Sequence, residues 1–169
     1  MKTLVLVAYC LEILALSVWI GALVGIIAAV IPAVFNTTGM EVGGRLLTRA
    51  FQGYDRLVLI SVVVIVVGML TRVVASKIGL SGSRWREQVT RTEILLLTAM
   101  VVIAGYLTFS LNPQIVSLQE RAFMAKDQAL RQIAYRDFFF GHDLARVLYL
   151  INLGLAITTL CVKVRKWVR

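Results

Sequence analysis

The residues that could do chemistry in this sequence form two groups inside otherwise apolar stretches. The larger group combines acids, bases and the single histidine: Asp55, Arg56, His142, Asp143 and Arg146. Carboxylates and an imidazole can bind a cation, and a guanidinium is a fixed positive charge. Residues 142, 143 and 146 lie within one helical turn, at about the depth of residues 55 and 56 in a bundle of spans. We therefore expect an ion or ligand site or, as we favour because the charges balance, a salt-bridge network.

The second group is a pair of polar residues deep inside two apolar runs. Counted at about 1.5 Å per residue, Glu12 lies about 12 Å and Asn152 about 15 Å from the same end of their helices. Polar side chains inside hydrocarbon are costly, and they hydrogen-bond to each other where helices touch. The similar depth predicts an intramembrane pair of Glu12 and Asn152.

Several kinds of chemistry lack the residues they need. One histidine excludes bis-histidine haem ligation within the chain and a metal site of several histidines. The sequence has no GxSxG nucleophile motif, no glycine-rich phosphate loop and no CxxC pair. Cys10 and Cys161 are expected to be reduced thiols in the core. We expect no enzyme, no metal and no cofactor.

The elements that position these residues are long apolar segments. Hydrophobic residues make up 59% of the 169 residues, against about 45–50% in soluble domains. Four segments are long enough to cross a bilayer, at about residues 4–35, 56–74, 93–111 and 138–162. The sequence therefore predicts an all-α polytopic membrane protein, a bundle of four transmembrane helices forming a single integral membrane domain.

Two further segments are too polar to span and have helical spacing of their apolar residues. We expect amphipathic segments at about 40–53 and 113–136, the second lying between spans three and four. Asn112 followed by Pro113 is typical of a helix start, which predicts that the third span ends there.

Small residues recur every four positions in the first span. Gly21, Gly25, Ala29 and Ala33 form one line that would let another helix approach closely. That helix could belong to the same chain, which we favour, or to a second copy in a homodimer.

The net charge of +9 is explained by topology, and we expect no nucleic-acid partner. Ten of the 18 basic residues fall on the side of both termini, including Arg84 and Arg86 in the connection after span two. By the positive-inside rule this predicts cytoplasmic N- and C-termini.

The order of motifs resembles a bacterial membrane family, domain of unknown function 4149, which is related to transmembrane-protein-205-like proteins. The matching stretches are IPAVF (31–35), GRLLTRAFQGYDR (44–56), NPQI (112–115) and FFFGHDLARVLYLINL (138–153). The resemblance covers nearly the whole chain and implies a four-span protein of the bacterial inner membrane. It implies no established reaction, and the eukaryotic relatives have been associated with drug export.

These observations favour a non-catalytic accessory or structural subunit that packs against other membrane proteins or forms a homo-oligomer in the lipid bilayer. An alternative is a small-solute or metal-ion transporter that uses a polar cavity joining Glu12 to the larger group. A second alternative is a membrane subunit that binds a cofactor through His142 as the single ligand.

Overall fold

Four long helical segments fill the part of the chain that the computed structural model describes, residues 2–78, 89–124 and 127–168. The first consists of α1 (Lys2–Gly25), a π-helical segment (Ile26–Val30) and α2 (Ile31–Thr37), and the second is α3 (Met40–Lys77). The third consists of α4 (Arg91–Tyr106), a second π-helical segment (Leu107–Leu111) and α5 (Asn112–Met124), and the fourth is α6 (Gln128–Val168). All four are long and apolar enough to cross a membrane.

The two π-helical segments have the same cause in the sequence. Pro32 and Pro113, the two prolines of the chain, each follow one of them closely. A proline has no N–H to donate, and its ring collides with the carbonyl four residues earlier. A π-helical turn accommodates this within a continuous helix. Each odd-numbered span therefore contains a local widening instead of a break.

The bundle is built from two antiparallel hairpins, α1–α2 with α3 and α4–α5 with α6. The hairpins meet where α1 contacts α6 and where α3 contacts α4. Large side chains fill the centre, including Leu16, Trp19 and Met100. Much of the outer surface consists of exposed apolar side chains, as expected of helices surrounded by lipid.

The two hairpins repeat one pattern of buried positions. Along the first helix of each hairpin, buried residues recur 81 positions apart: Glu12 and Glu93, Leu16 and Leu97, Trp19 and Met100, Leu23 and Ala104, Ile26 and Leu107. Along the second helix they recur 91 positions apart: Val58 and Tyr149, Ser61 and Asn152, Ile65 and Ala156, Arg72 and Lys163. The π-helical segments and the prolines obey the first offset. The second hairpin therefore repeats the buried pattern of the first, with ten more residues between its matched helical positions because the offset of 91 exceeds that of 81 by ten.

The helix bounds differ from the predicted ones at three places. Residues 40–53 belong to α3 and are continuous with the second span. Asn112 has helical backbone angles, so the third span continues through Pro113 into α5. The single amphipathic helix predicted over 113–136 is wrong, because α5 ends at Met124 and α6 begins at Gln128. In the first two cases the helix continues because every backbone group in lipid must be satisfied internally.

Two further expectations concern the bundle ends. The basic connection with Arg84 and Arg86 lies outside the described residues. Cys10 and Cys161 are free thiols as predicted, but both are exposed on the outer surface of the bundle, so the expected core position is wrong.

Candidate functional site

Four buried ionisable side chains and one partly buried lysine form a cluster at the end of the bundle that carries both termini. This terminal ion cluster consists of Glu12, Arg72, Glu93, Lys163 and Lys166, one or two residues from each long helix. Nη1 of Arg72 donates to Oε2 of Glu12 at 2.8 Å, and Nη2 lies 3.7 Å from Oε2 of Glu93. Lys163 also donates to Oε2 of Glu12, and Nζ of Lys166 donates to Oε1 of Glu93 at 2.9 Å. These ion pairs connect the two hairpins.

An aromatic ring and a glycine shape the space around the ions. The Tyr9 ring lies beside both cations that pair with the Glu12 carboxylate. Its centroid is 4.9 Å from the Arg72 guanidinium carbon and 5.3 Å from Nζ of Lys163. The face of an aromatic ring attracts cations. Across the cluster, a Cβ added to Gly68 would lie 2.7 Å from Cγ of Glu12. α1 and α3 can approach this closely because residue 68 has no side chain.

The second hairpin fixes its carboxylate through a helix cap. Thr90 and Glu93 form a capping box at the start of α4: the Thr90 amide donates to Oε2 of Glu93 at 3.3 Å, and the Glu93 amide donates to the Thr90 hydroxyl at 3.4 Å. A capping box satisfies two backbone donors at a helix start. The Glu93 carboxylate therefore both caps its helix and receives Arg72 and Lys166.

Arg72, Lys163 and Lys166 were counted from the sequence only as basic residues on the side of the termini, and their ion pairs with Glu12 and Glu93 were not predicted. Arg72 and Lys163 are 0% exposed. The signal was present in the repeat: EIL at 12–14 and EIL at 93–95 each stand 20 residues before a proline. Each hairpin supplies one glutamate from its first helix and a buried cation from its second.

A second polar cluster lies at the opposite end of the bundle, about 25 Å away along α3. This distal polar cluster consists of Asp55, Thr108, Asn112, Tyr149 and Asn152. Nδ2 of Asn112 donates to Oδ2 of Asp55 and to the Tyr149 hydroxyl, both at 2.8 Å. The Tyr149 hydroxyl donates to Oδ1 of Asp55 over a long 3.5 Å. Asn112 thus binds across the bundle where a helix cap was predicted.

A small cavity lies at the centre of this cluster. Asp55, Thr108, Tyr149 and Asn152 line it, and it has no room for a water molecule. Tyr54 also lines the cavity, and its hydroxyl accepts a hydrogen bond from Nε1 of Trp19 at 2.9 Å. Oδ1 of Asn152 is buried without a hydrogen-bond partner.

The predicted group of Asp55, Arg56, His142, Asp143 and Arg146 is not assembled. Asp55 is buried, whereas the other four are exposed. Asp143 and Arg146 form an ion pair at 3.8 Å on the outside of α6, and the His142 ring stacks on Phe138 at 5.8 Å. The depths are similar, but α3 and α6 turn these side chains in different directions. Neither the predicted site nor the predicted network therefore joins the two helices.

The predicted pair of Glu12 and Asn152 does not form either. Glu12 meets Lys163, and 11 residues of helix place Asn152 about 16 Å further along the bundle. The depth count failed because the helices extend beyond the apolar runs, so distances from the ends of those runs were not comparable. Since Glu12 and Asp55 lie in separate clusters, the described residues do not form the joint polar cavity that the transporter alternative requires.

The small-residue line of the first span faces outward. Gly21, Ala29 and Ala33 are exposed and Gly25 is half-buried, and a Cβ added to either glycine would have nothing within 4 Å. The preferred expectation that this line packs within the chain is wrong, because α1 turns its large residues Leu16, Trp19 and Leu23 toward the core.

The described residues contain no group of three or more histidine, cysteine, aspartate and glutamate side chains that could hold a metal ion. Their polar groups are organised to bind one another between helices. The fold and these two clusters define an all-α membrane bundle of four helices. The chain matches the model of a domain of unknown function, DUF4149, over residues 14–123, and it belongs to that family. No curated protein and no solved structure matches it.

Proposed function

We propose that the protein is a non-catalytic subunit that packs against other membrane proteins in the bilayer. The observation that carries this proposal is the outward line of Gly21, Gly25, Ala29 and Ala33, which the chain's own helices leave uncovered. In lipid there is little hydrophobic drive between helices, and close backbone approach over small residues supplies the attraction instead. A partner helix therefore finds on α1 the surface that such packing requires.

The ion pairs inside the bundle also support a role as a packing subunit. The ions of the terminal ion cluster are paired with each other across the bundle, so the cluster serves to hold the hairpins together. A bundle held together in this way presents its small-residue face to a partner helix, as a packing subunit requires.

Glycine substitutions test this proposal at native expression level. In the double variant Gly21→Leu, Gly25→Leu, a stoichiometric complex that the wild type forms in mild detergent should be lost. Gly154→Leu is the matched control, since Gly154 is an exposed glycine of α6 with nothing within 4 Å of an added Cβ. The measurement is native mass spectrometry of the purified complex. A strictly monomeric wild type contradicts the proposal, and a complex of this chain alone replaces the partner by a second copy.

We further propose that the protein resides in a bacterial inner membrane with both termini in the cytoplasm. The excess of basic residues on the side of the termini supports this orientation. Single cysteines introduced at Gly39 and at Ile78, two exposed residues at opposite ends of α3, provide a test after Cys10 and Cys161 are replaced by serine. A membrane-impermeant thiol reagent added to intact cells should label residue 39 and leave residue 78 unlabelled. The reverse labelling would invert the orientation.

A further inference from the structure

The Asp55 carboxylate is buried without a cation. It is 8% exposed, and its hydrogen-bond donors are neutral: the Asn112 amide and the hydroxyl groups of Thr108 and Tyr149. The nearest basic side chains along α3 and α6, Arg56 and Arg146, are exposed. A buried charge that is compensated by dipoles alone is costly in a low-dielectric interior.

The same cavity contains an acceptor without a donor. Asn152 is 1% exposed, and its Oδ1 has no hydrogen-bond partner. An acceptor that is buried without a donor has lost its hydrogen bonds to water without replacement, which is unfavourable. Asn152, whose Oδ1 lacks a donor, and Asp55, whose Oδ1 accepts only a long 3.5 Å hydrogen bond from the Tyr149 hydroxyl, thus line the same small space.

The size of the space limits what can satisfy these oxygens. The cavity does not admit a water molecule, so a bridging water or a hydrated ion does not fit. Thr108 lies on the wall of the cavity within the second π-helical segment. Segments of this kind occur frequently at functional sites.

Equivalent positions of the two hairpins distinguish the distal polar cluster from the terminal ion cluster. The positions that correspond to Asn152 and Asn112 in the first hairpin are Ser61 and Ile31, and the position that corresponds to Asp55 in the second hairpin is Arg146 on the outer surface. In the terminal ion cluster, by contrast, Glu12 corresponds to Glu93, and Arg72 corresponds to Lys163. The distal polar cluster is therefore an addition to the shared hairpin architecture.

We propose that Asp55 is a proton-binding site, in which the carboxyl group takes up one proton from solution and donates it as a hydrogen bond to Asn152. The proton adds to Oδ1 of Asp55 and forms an O–H bond, while Oδ2 continues to accept from Asn112. One proton neutralises the buried charge and gives Asn152 its missing donor. The neighbouring phenols of Tyr54 and Tyr149 take part in hydrogen bonds, and the facing side chains of Trp19, Thr108 and Asn112 do not titrate.

Infrared difference spectroscopy on the full chain in lipid nanodiscs tests this proposal. The protein is labelled with aspartate that carries carbon-13 in the side-chain carboxyl, so that the four aspartates are distinguished from the glutamates. We expect the band of a protonated, labelled carboxyl near neutral pH. Asp55→Asn should remove this band, and the matched control Asp143→Asn, at an exposed aspartate, should retain it. A wild-type spectrum without the band, or a band that survives Asp55→Asn, overturns the proposal.

Two further measurements test the chemistry of the site. Asn152→Leu removes the acceptor of the proposed O–H group, so the band should disappear at a lower pH than in the wild type. An unchanged titration in this variant contradicts the role of Asn152. A band that disappears when sodium is added at constant pH identifies sodium as the ligand and overturns proton binding.

Discussion

The terminal ion cluster and the distal polar cluster solve the problem of polar groups in a membrane in opposite ways. In the terminal ion cluster two carboxylates meet three cations, and each hairpin provides members at equivalent positions. In the distal polar cluster one carboxylate meets neutral donors. Its central carboxylate is not repeated, because the position that corresponds to Asp55 in the second hairpin is the exposed Arg146. Polarity that both hairpins share is explained by their attachment, whereas unshared polarity calls for another explanation.

The comparison also shows what each cluster contributes to the bundle. Buried ion pairs are expensive to desolvate, and removing one partner is far more costly than the pair itself is favourable. The terminal ion cluster therefore makes correct docking of the hairpins a condition for stability. The distal polar cluster contributes less attachment, since its carboxyl group accepts hydrogen bonds from neutral donors and pairs with no cation among the described residues.

The largest expected effect comes from breaking the terminal ion cluster. Arg72→Met leaves Glu12 and Glu93 without the guanidinium between them, and we expect a loss of about 3–5 kcal/mol in the free energy of unfolding. Unfolding in mixed micelles of mild and denaturing detergent measures it. Arg56→Met is the matched control, an exposed arginine of the same helix. Equal stability of the two variants would contradict the structural role of the cluster.

A smaller loss is expected at the distal polar cluster. Asn112→Leu removes the 2.8 Å hydrogen bond to the buried Asp55 carboxyl group, which should cost about 1–3 kcal/mol because a buried acceptor is left poorly satisfied. The same unfolding assay applies, with Gln114→Leu at an exposed position of α5 as the control. A cost equal to that of Arg72→Met would remove the distinction between the clusters.

The packing around the terminal ion cluster can be tested without replacing a charged residue. Gly68→Ala places a methyl group 2.7 Å from Cγ of Glu12 and 3.2 Å from the backbone oxygen of Ala8. We expect a loss of about 1–3 kcal/mol from overpacking. Gly154→Ala, which meets nothing within 4 Å, should be neutral or slightly stabilising because alanine favours helices. Tolerance of Gly68→Ala would show that α1 and α3 can separate there.

The smallest effect is expected at the exposed ion pair of α6. Arg146→Ala should change the free energy of unfolding by less than about 1 kcal/mol, because exposed pairs contribute little. A double-mutant cycle with Asp143→Asn measures the coupling between them. A coupling well above that range would revive the predicted salt-bridge network around Arg146.

The sequence alone predicted the class of the protein and its number of spans. Four apolar runs of bilayer length determine an all-α membrane fold, because backbone groups in hydrocarbon must bond within a helix. The family was also identified correctly from short motifs such as IPAVF and NPQI. Asp55 was selected as a candidate because of its expected depth at the start of the second span, although its predicted partners were wrong.

The partners of each polar residue were decided by tertiary structure. Ala145 and Arg146 are neighbours in α6, yet the first is buried and the second exposed, since successive helical residues point about 100° apart. Depth along a helix can be counted from sequence, but its rotation is set by how large core residues such as Trp19 and Met100 pack. That rotation brought Lys163 to Glu12 and Asn112 to Asp55, and turned Gly21 and Gly25 toward the lipid.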